Sequence, residues 1–77
     1  MKINMLAFGQ IVDIIGNSAW TISEVDNTDQ LKLKLKHDFP ALLNINFALA
    51  VNKHVVHHNT ILNFDDTVAI LPPFSGG

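Results

Sequence analysis

The chain has 77 residues, 48% of them hydrophobic and 16% charged, with a net charge of −2 and no cysteine. That is enough for one small core, near the size at which burial only just offsets chain entropy, and too apolar for a disordered chain. The missing thiols exclude a disulfide framework, a thiolate metal site, a cysteine nucleophile and a persulfide carried on a side chain; the absence of a basic stripe argues against nucleic acid. So much apolar sequence on so small a surface also implies that a partner covers part of it. The N-terminus lacks the charged start and apolar run of a signal peptide, and no segment is long enough to span a bilayer. A cytoplasmic protein without membrane contact is expected, as one domain over residues 1–77.

Lys2 to Phe8 alternates as a strand, with Ile3, Met5 and Ala7 on one face and Leu6 and Phe8 on the other. Ile11, Ile14 and Ile15 have helical spacing, and Gly16 is a natural stop after them. Ser18 to Glu24 reads as a second strand containing Trp20 and Ile22. Asn27 with Gln30 resembles a capping box opening a second helix. The run Leu31-Lys32-Leu33-Lys34-Leu35-Lys36 has the period of two that marks a strand. Other signals favour a helix there. Asp29 stands in the first turn and Lys34, Lys36 and His37 toward the last, as the helix dipole prefers. Leu31 and Leu35 share a helical face, Leu and Lys are good helix formers, and Pro40 ends the segment. Leu33 is then partly exposed. Phe47 to Asn52 reads as a third strand, and after a turn at Asn52-Lys53 a short fourth strand opens at Val55-Val56. Asn63 to Thr67 reads as a turn with two aspartates, and Val68 to Leu71 as the last strand.

The order is therefore β-α-β-α-β-β-β. The fold class expected is α+β: a mixed sheet of about five strands on one main helix plus a short helix, the β-grasp arrangement. The last strand runs into Pro72-Pro73-Phe74-Ser75-Gly76-Gly77. The prolines fix φ and end ladder pairing, so a flexible tail over 72–77 should leave the body extended and unpaired. Glycine has no Cβ, so Gly76 and Gly77 can enter a slot too narrow for other residues. The carboxylate of Gly77 becomes the most reachable group, which suits a chain whose own C-terminus reacts.

The opening strand into Phe8-Gly9-Gln10, the segment Leu49-Ala50-Val51-Asn52 and the run from Asp66 through Leu71-Pro72-Pro73 to Gly76-Gly77 resemble the small, sulfur-carrying subunits of molybdopterin synthase, a ubiquitin-like β-grasp family. A terminal Gly-Gly is common to all ubiquitin-like carriers. Two prolines, two variable residues and Gly-Gly form a more specific ending. One departure is Asp65, where the family usually has glycine; aspartate tolerates a left-handed backbone better than most residues.

The resemblance implies a mechanism. A ubiquitin-activating-enzyme-like adenylyltransferase uses ATP to join the Gly77 carboxyl to AMP, and a sulfur donor protein displaces AMP to leave a thiocarboxylate. Pro72, Pro73, Phe74, Ser75 and Gly76 thread into the large synthase subunit. There the sulfur passes to a cyclic pyranopterin precursor, building the molybdopterin dithiolene. Catalytic side chains belong to the large subunit, and no cofactor or metal is held by this chain. The family's docking face matches at Phe8, Val55 and Leu71; the alternation leaves Ala69 and Leu71 outward, with one of Val55 or Val56 beside Phe8. A sulfur carrier of another pathway, such as thiazole or cysteine synthesis, is the near alternative, against which the Pro-Pro element argues. A ubiquitin-like modifier is the more distant one.

Other constellations have plainer readings. His57 and His58 are adjacent and point to opposite faces of a strand, and neither they nor His37 and His54 have a helpful acidic neighbour, so solvated histidines are expected. Asp65-Asp66 reads as a turn bonded to backbone, Lys32, Lys34 and Lys36 as a solvated helix face, and Trp20 as packing. No Ser/His/Asp set, phosphate loop or nucleotide fingerprint is present.

Overall fold

The computed structural model describes residues 2–73. Its elements are β1 (Lys2–Ala7), α1 (Gln10–Ile15), β2 (Ala19–Ser23), α2 (Thr28–Asp38), β3 (Ala48–Val51), β4 (His54–Val56) and β5 (Thr67–Leu71), with a 3-10 turn at Pro40–Asn44 between α2 and β3. The strands form one sheet in the order β2-β1-β5-β3-β4. β1 and β5 pair in parallel, with Met5 opposite Val68 and Ala7 opposite Ile70; the other pairings are antiparallel. A mixed five-stranded sheet carrying one main helix and a short one is the expected β-grasp.

Period-two alternation in β1 places Ile3, Met5 and Ala7 in the core, and β5 adds Val68 and Ile70. Ile22, Leu49 and Leu31 and Leu35 of α2 close the same cluster. The ambiguous leucine-lysine run is helical throughout. Its N-terminus is fixed by the Asn27 side chain, which accepts from the Gln30 N–H at 2.9 Å. The Gln30 side chain reaches back to the Asp26 N–H at 2.8 Å, one residue earlier than a strict capping box requires. Tertiary packing overrides the period-two signal because only Leu31 and Leu35 have a core to enter; Leu33 is 71% exposed. The lysine face is less uniformly solvated than expected. Lys34 lies 3.8 Å from Asp38, whereas Lys36 is half-buried with its ammonium 5.8 Å above the Phe47 ring.

Several strand ends fall short of the sequence expectation. Phe8 follows β1 rather than ending it, β2 starts at Ala19, and β3 spans only Ala48–Val51. The 3-10 turn after Pro40, which buries Leu42, had no periodic signal. Nor did the crossing from α2 to the β4–β5 connection. There the buried Thr28 hydroxyl accepts from the Thr60 N–H at 2.9 Å, and Val25 and Leu62 complete the core.

Candidate docking face and tail root

The sheet face away from α2 holds the residues of interest. Leu6 lies opposite Ala69, Ala69 opposite Ala50, and Ala50 opposite Val55, a continuous row across β1, β5, β3 and β4. Two alanines in the middle of that row leave a depression. Leu6, Phe8, Leu71 and Val55 rise around it, and the result is a mostly apolar hollow of about 540 Å³. Phe8 is 48% exposed and Val55 47% exposed. Val55 and Val56 are separated by the pleat: Val55 lines the hollow and Val56 packs against the core. Lys53, Asn52 and Thr67 supply its polar margin, Lys53 being the sole ionic side chain among the lining residues.

The three residues matched by resemblance, Phe8, Val55 and Leu71, thus stand around one concavity although 47 and 63 positions separate Phe8 from the other two. Leu71 is also the last paired residue of β5, opposite Ala48. Pro72 and Pro73 follow outside the sheet. Pro72 rests on the turn between β1 and α1, where Gly9 has φ +58° and a Cβ would come within 3.2 Å of the Pro72 ring. A side chain at Gly9 would press on the root of the tail as well as strain the backbone. The tail residues Phe74, Ser75, Gly76 and Gly77 lie outside the described residues, and so does the Gly77 carboxyl expected from the sequence to react.

The turn before β5 is built by its two aspartates. Asp65 adopts φ +70°, the left-handed conformation expected where glycine is missing. Its carboxylate accepts from the Asn4 side chain at 3.0 Å and lies 3.6 Å from the Lys2 ammonium. Asp66 Oδ2 accepts from the Asn63 N–H at 2.8 Å and Oδ1 from the Asn52 side chain at 3.0 Å. The Asn63 N–H foremost, then the Asn52 amide, hold the Asp66 carboxyl below its ordinary value. The Asn52 side chain was absent from the sequence reading; only its place in the Asn52-Lys53 turn signalled it.

The histidines at 37, 54, 57 and 58 are exposed, and among the described residues no three His, Cys, Asp or Glu side chains gather to hold a metal ion. Trp20 is half-buried against the core. No helix among the described residues is long and apolar enough to cross a membrane. The hollow itself carries no nucleophile or acid–base pair.

Similarity to known proteins agrees with this architecture. The structure superposes on molybdopterin converting factor subunit 1 as assigned in Pyrococcus furiosus, with TM-score 0.86 and 18% identity over 95% of this chain and 98% of that one. Small archaeal modifier protein 1 of Methanosarcina acetivorans gives 0.82 and 22%, covering 99% and 96%. A chain from the protein–protein complex of subunits 1 and 2 of molybdopterin-converting factor from Helicobacter pylori gives 0.73 and 28%, covering 100% of both. The model of the ThiS family matches residues 5–77, nearly the whole sequence. With that match and the ubiquitin-like β-grasp fold of its structural neighbours, the chain belongs to the ThiS family of sulfur carriers.

Proposed function

We propose that the chain is the small subunit of a molybdopterin synthase and carries sulfur on its own C-terminus. The observation that carries this reading is the apolar hollow at the root of a Pro-Pro-x-x-Gly-Gly tail: a partner seated on Phe8, Val55 and Leu71 receives the tail directly. The similar Helicobacter chain comes from a complex of subunits 1 and 2 of molybdopterin-converting factor, which supports such seating.

The chemistry follows from the carboxyl group. A carboxylate at neutral pH is a poor electrophile. An adenylyltransferase partner therefore couples Gly77 to the α-phosphate of ATP, releasing pyrophosphate and leaving an acyl-adenylate. A donor protein supplying sulfur at the sulfide level displaces AMP, and the thiocarboxylate that remains is ionised and nucleophilic. Pro72 to Gly76 then place it within the large subunit, whose side chains guide transfer to a cyclic pyranopterin precursor. This chain contributes a tail, a docking face and a carrier carboxyl, and holds no cofactor. A cytoplasmic location agrees with the use of ATP.

Intact-mass measurement on the chain from its native cells tests the reading. Nearly all of it should appear at its free mass, with a minor fraction heavier by one oxygen-to-sulfur exchange. That fraction should vanish without the activating enzyme and be consumed by the large subunit plus precursor. A ladder of lysine conjugates, removed by an isopeptidase and indifferent to the precursor, would overturn the proposal in favour of a protein modifier.

A further inference from the structure

We propose that Asn52 and Asp66 form a clasp that positions the β3–β4 hairpin as one wall of the hollow and thereby sets affinity for the partner subunit; this rests on the docking reading above. The hairpin needs such a device. β4 is three residues long, lies at the sheet edge and, among the described residues, pairs only with β3. Its turn residues, Asn52 at φ +48° and Lys53 at φ +74°, are both left-handed, and lysine adopts that conformation at a cost. Yet Lys53 and Val55 both line the hollow, so a mobile hairpin would blur the surface a partner must match.

Asn52 supplies what the short strand lacks. Its backbone N–H donates to the Thr67 carbonyl at 2.7 Å, and its side-chain Oδ1 accepts from the Thr67 N–H at 2.9 Å. One residue thereby takes both backbone groups of Thr67 and extends the β3–β5 ladder one step beyond the Val51–Val68 pair. Its Nδ2 donates to Asp66 Oδ1 at 3.0 Å, while Asp66 Oδ2 is held by the Asn63 N–H. The carboxylate therefore ties the hairpin tip to the loop that leads into β5. Asn52 stands on the polar margin of the hollow, outside the apolar residues matched by resemblance, and Asp66 does not line the hollow. They act through Lys53 and Val55, as positioning residues.

Asn52→Gly removes the clasp and keeps the left-handed turn, and because it also takes a side chain off the polar margin of the hollow, Asp66→Ala, which breaks the same clasp from outside the hollow, must lower affinity in the same direction. On the isolated chain, hydrogen exchange at residues 53–56 should accelerate roughly tenfold relative to β1 and β5, as expected for two lost hydrogen bonds. Affinity for the cognate large subunit should fall by about tenfold, and Asp66→Asn, which keeps one acceptor oxygen, should fall less. The discriminating readout is a double-mutant cycle with Val55→Ala. If the clasp works through the wall, Val55→Ala costs less affinity in the Asn52→Gly background than in the wild type; uniform destabilisation gives additivity. Unchanged exchange at 53–56, wild-type affinity of Asn52→Gly, or additivity would each overturn the inference. A wild-type chain that does not bind the large subunit brings it down together with the functional reading, which the mass measurement reports separately.

Discussion

Replacing Phe8 by aspartate should separate docking from folding. Phe8 is 48% exposed at the rim of the hollow. A phenylalanine buries ~200 Å² in full, so ~100 Å² of ring remains for a partner to cover, worth about 2.5 kcal/mol at 25 cal/mol per Å². Phe8→Ala should therefore weaken binding by roughly 60-fold. Phe8→Asp adds the desolvation of a carboxylate, several kcal/mol per ion, and should raise the loss above about a thousandfold. In the free chain the two variants should melt alike. Each loses the covered half of the ring, about 2.5 kcal/mol on the same scale or roughly 10–20 °C in a domain of this size, and the carboxylate stays hydrated. Circular dichroism melting of both variants, beside calorimetric titration with the large subunit, measures the two effects. If Phe8→Asp melts far below Phe8→Ala, the ring sits in the core and the face assignment fails. If the two bind equally, the site is not buried in the complex.

Four further outcomes can be checked. Leu35→Ala empties a fully buried site under the sheet and should cost about 2–5 kcal/mol in denaturant unfolding, a large share of the stability of so small a domain. Lys53→Gly relieves a left-handed lysine in the hairpin and should stabilise the free chain by about 0.5–1 kcal/mol, read as a higher denaturation midpoint. The Asp66 carboxyl is held below its ordinary value of 3.8, so the stability it adds is present in full above that value and is lost as pH falls through the folded-state value; melting curves between neutral and strongly acid pH should show a steeper acid loss for the wild type than for Asp66→Asn. Deleting Gly77, or extending the chain past it, should abolish sulfur loading by mass spectrometry and leave the melting temperature unchanged, and loading by the truncated chain would end the carrier reading.

Much of the fold could be read locally. β1 alternates because one face of a sheet is wet and the other dry, so Ile3, Met5 and Ala7 announced their side. Asn27, Leu31 and Leu35 marked a helix that the leucine-lysine alternation disguised, since a cap and a four-residue spacing are also local signals. The left-handed Asp65 was expected through the resemblance, since glycine usually stands there in the family, and aspartate is among the residues that tolerate that conformation. The end of strand pairing at Pro72 was legible locally, since φ restriction and a missing N–H need no tertiary context. The 3-10 turn and the Thr28–Thr60 contact were not, because neither follows a periodic pattern.

The sequence by itself determined the order of elements and their buried faces. The tertiary structure decided which side chains gather around the hollow. The choice of Val55 over Val56, the Ala50–Ala69 depression and the Asn52–Asp66 clasp all depend on strand register, and β1 meets β5 in parallel across some sixty intervening residues. A shift of one residue in any of those pairings sends every side chain to the opposite face, and no local signal can specify a register between segments so far apart.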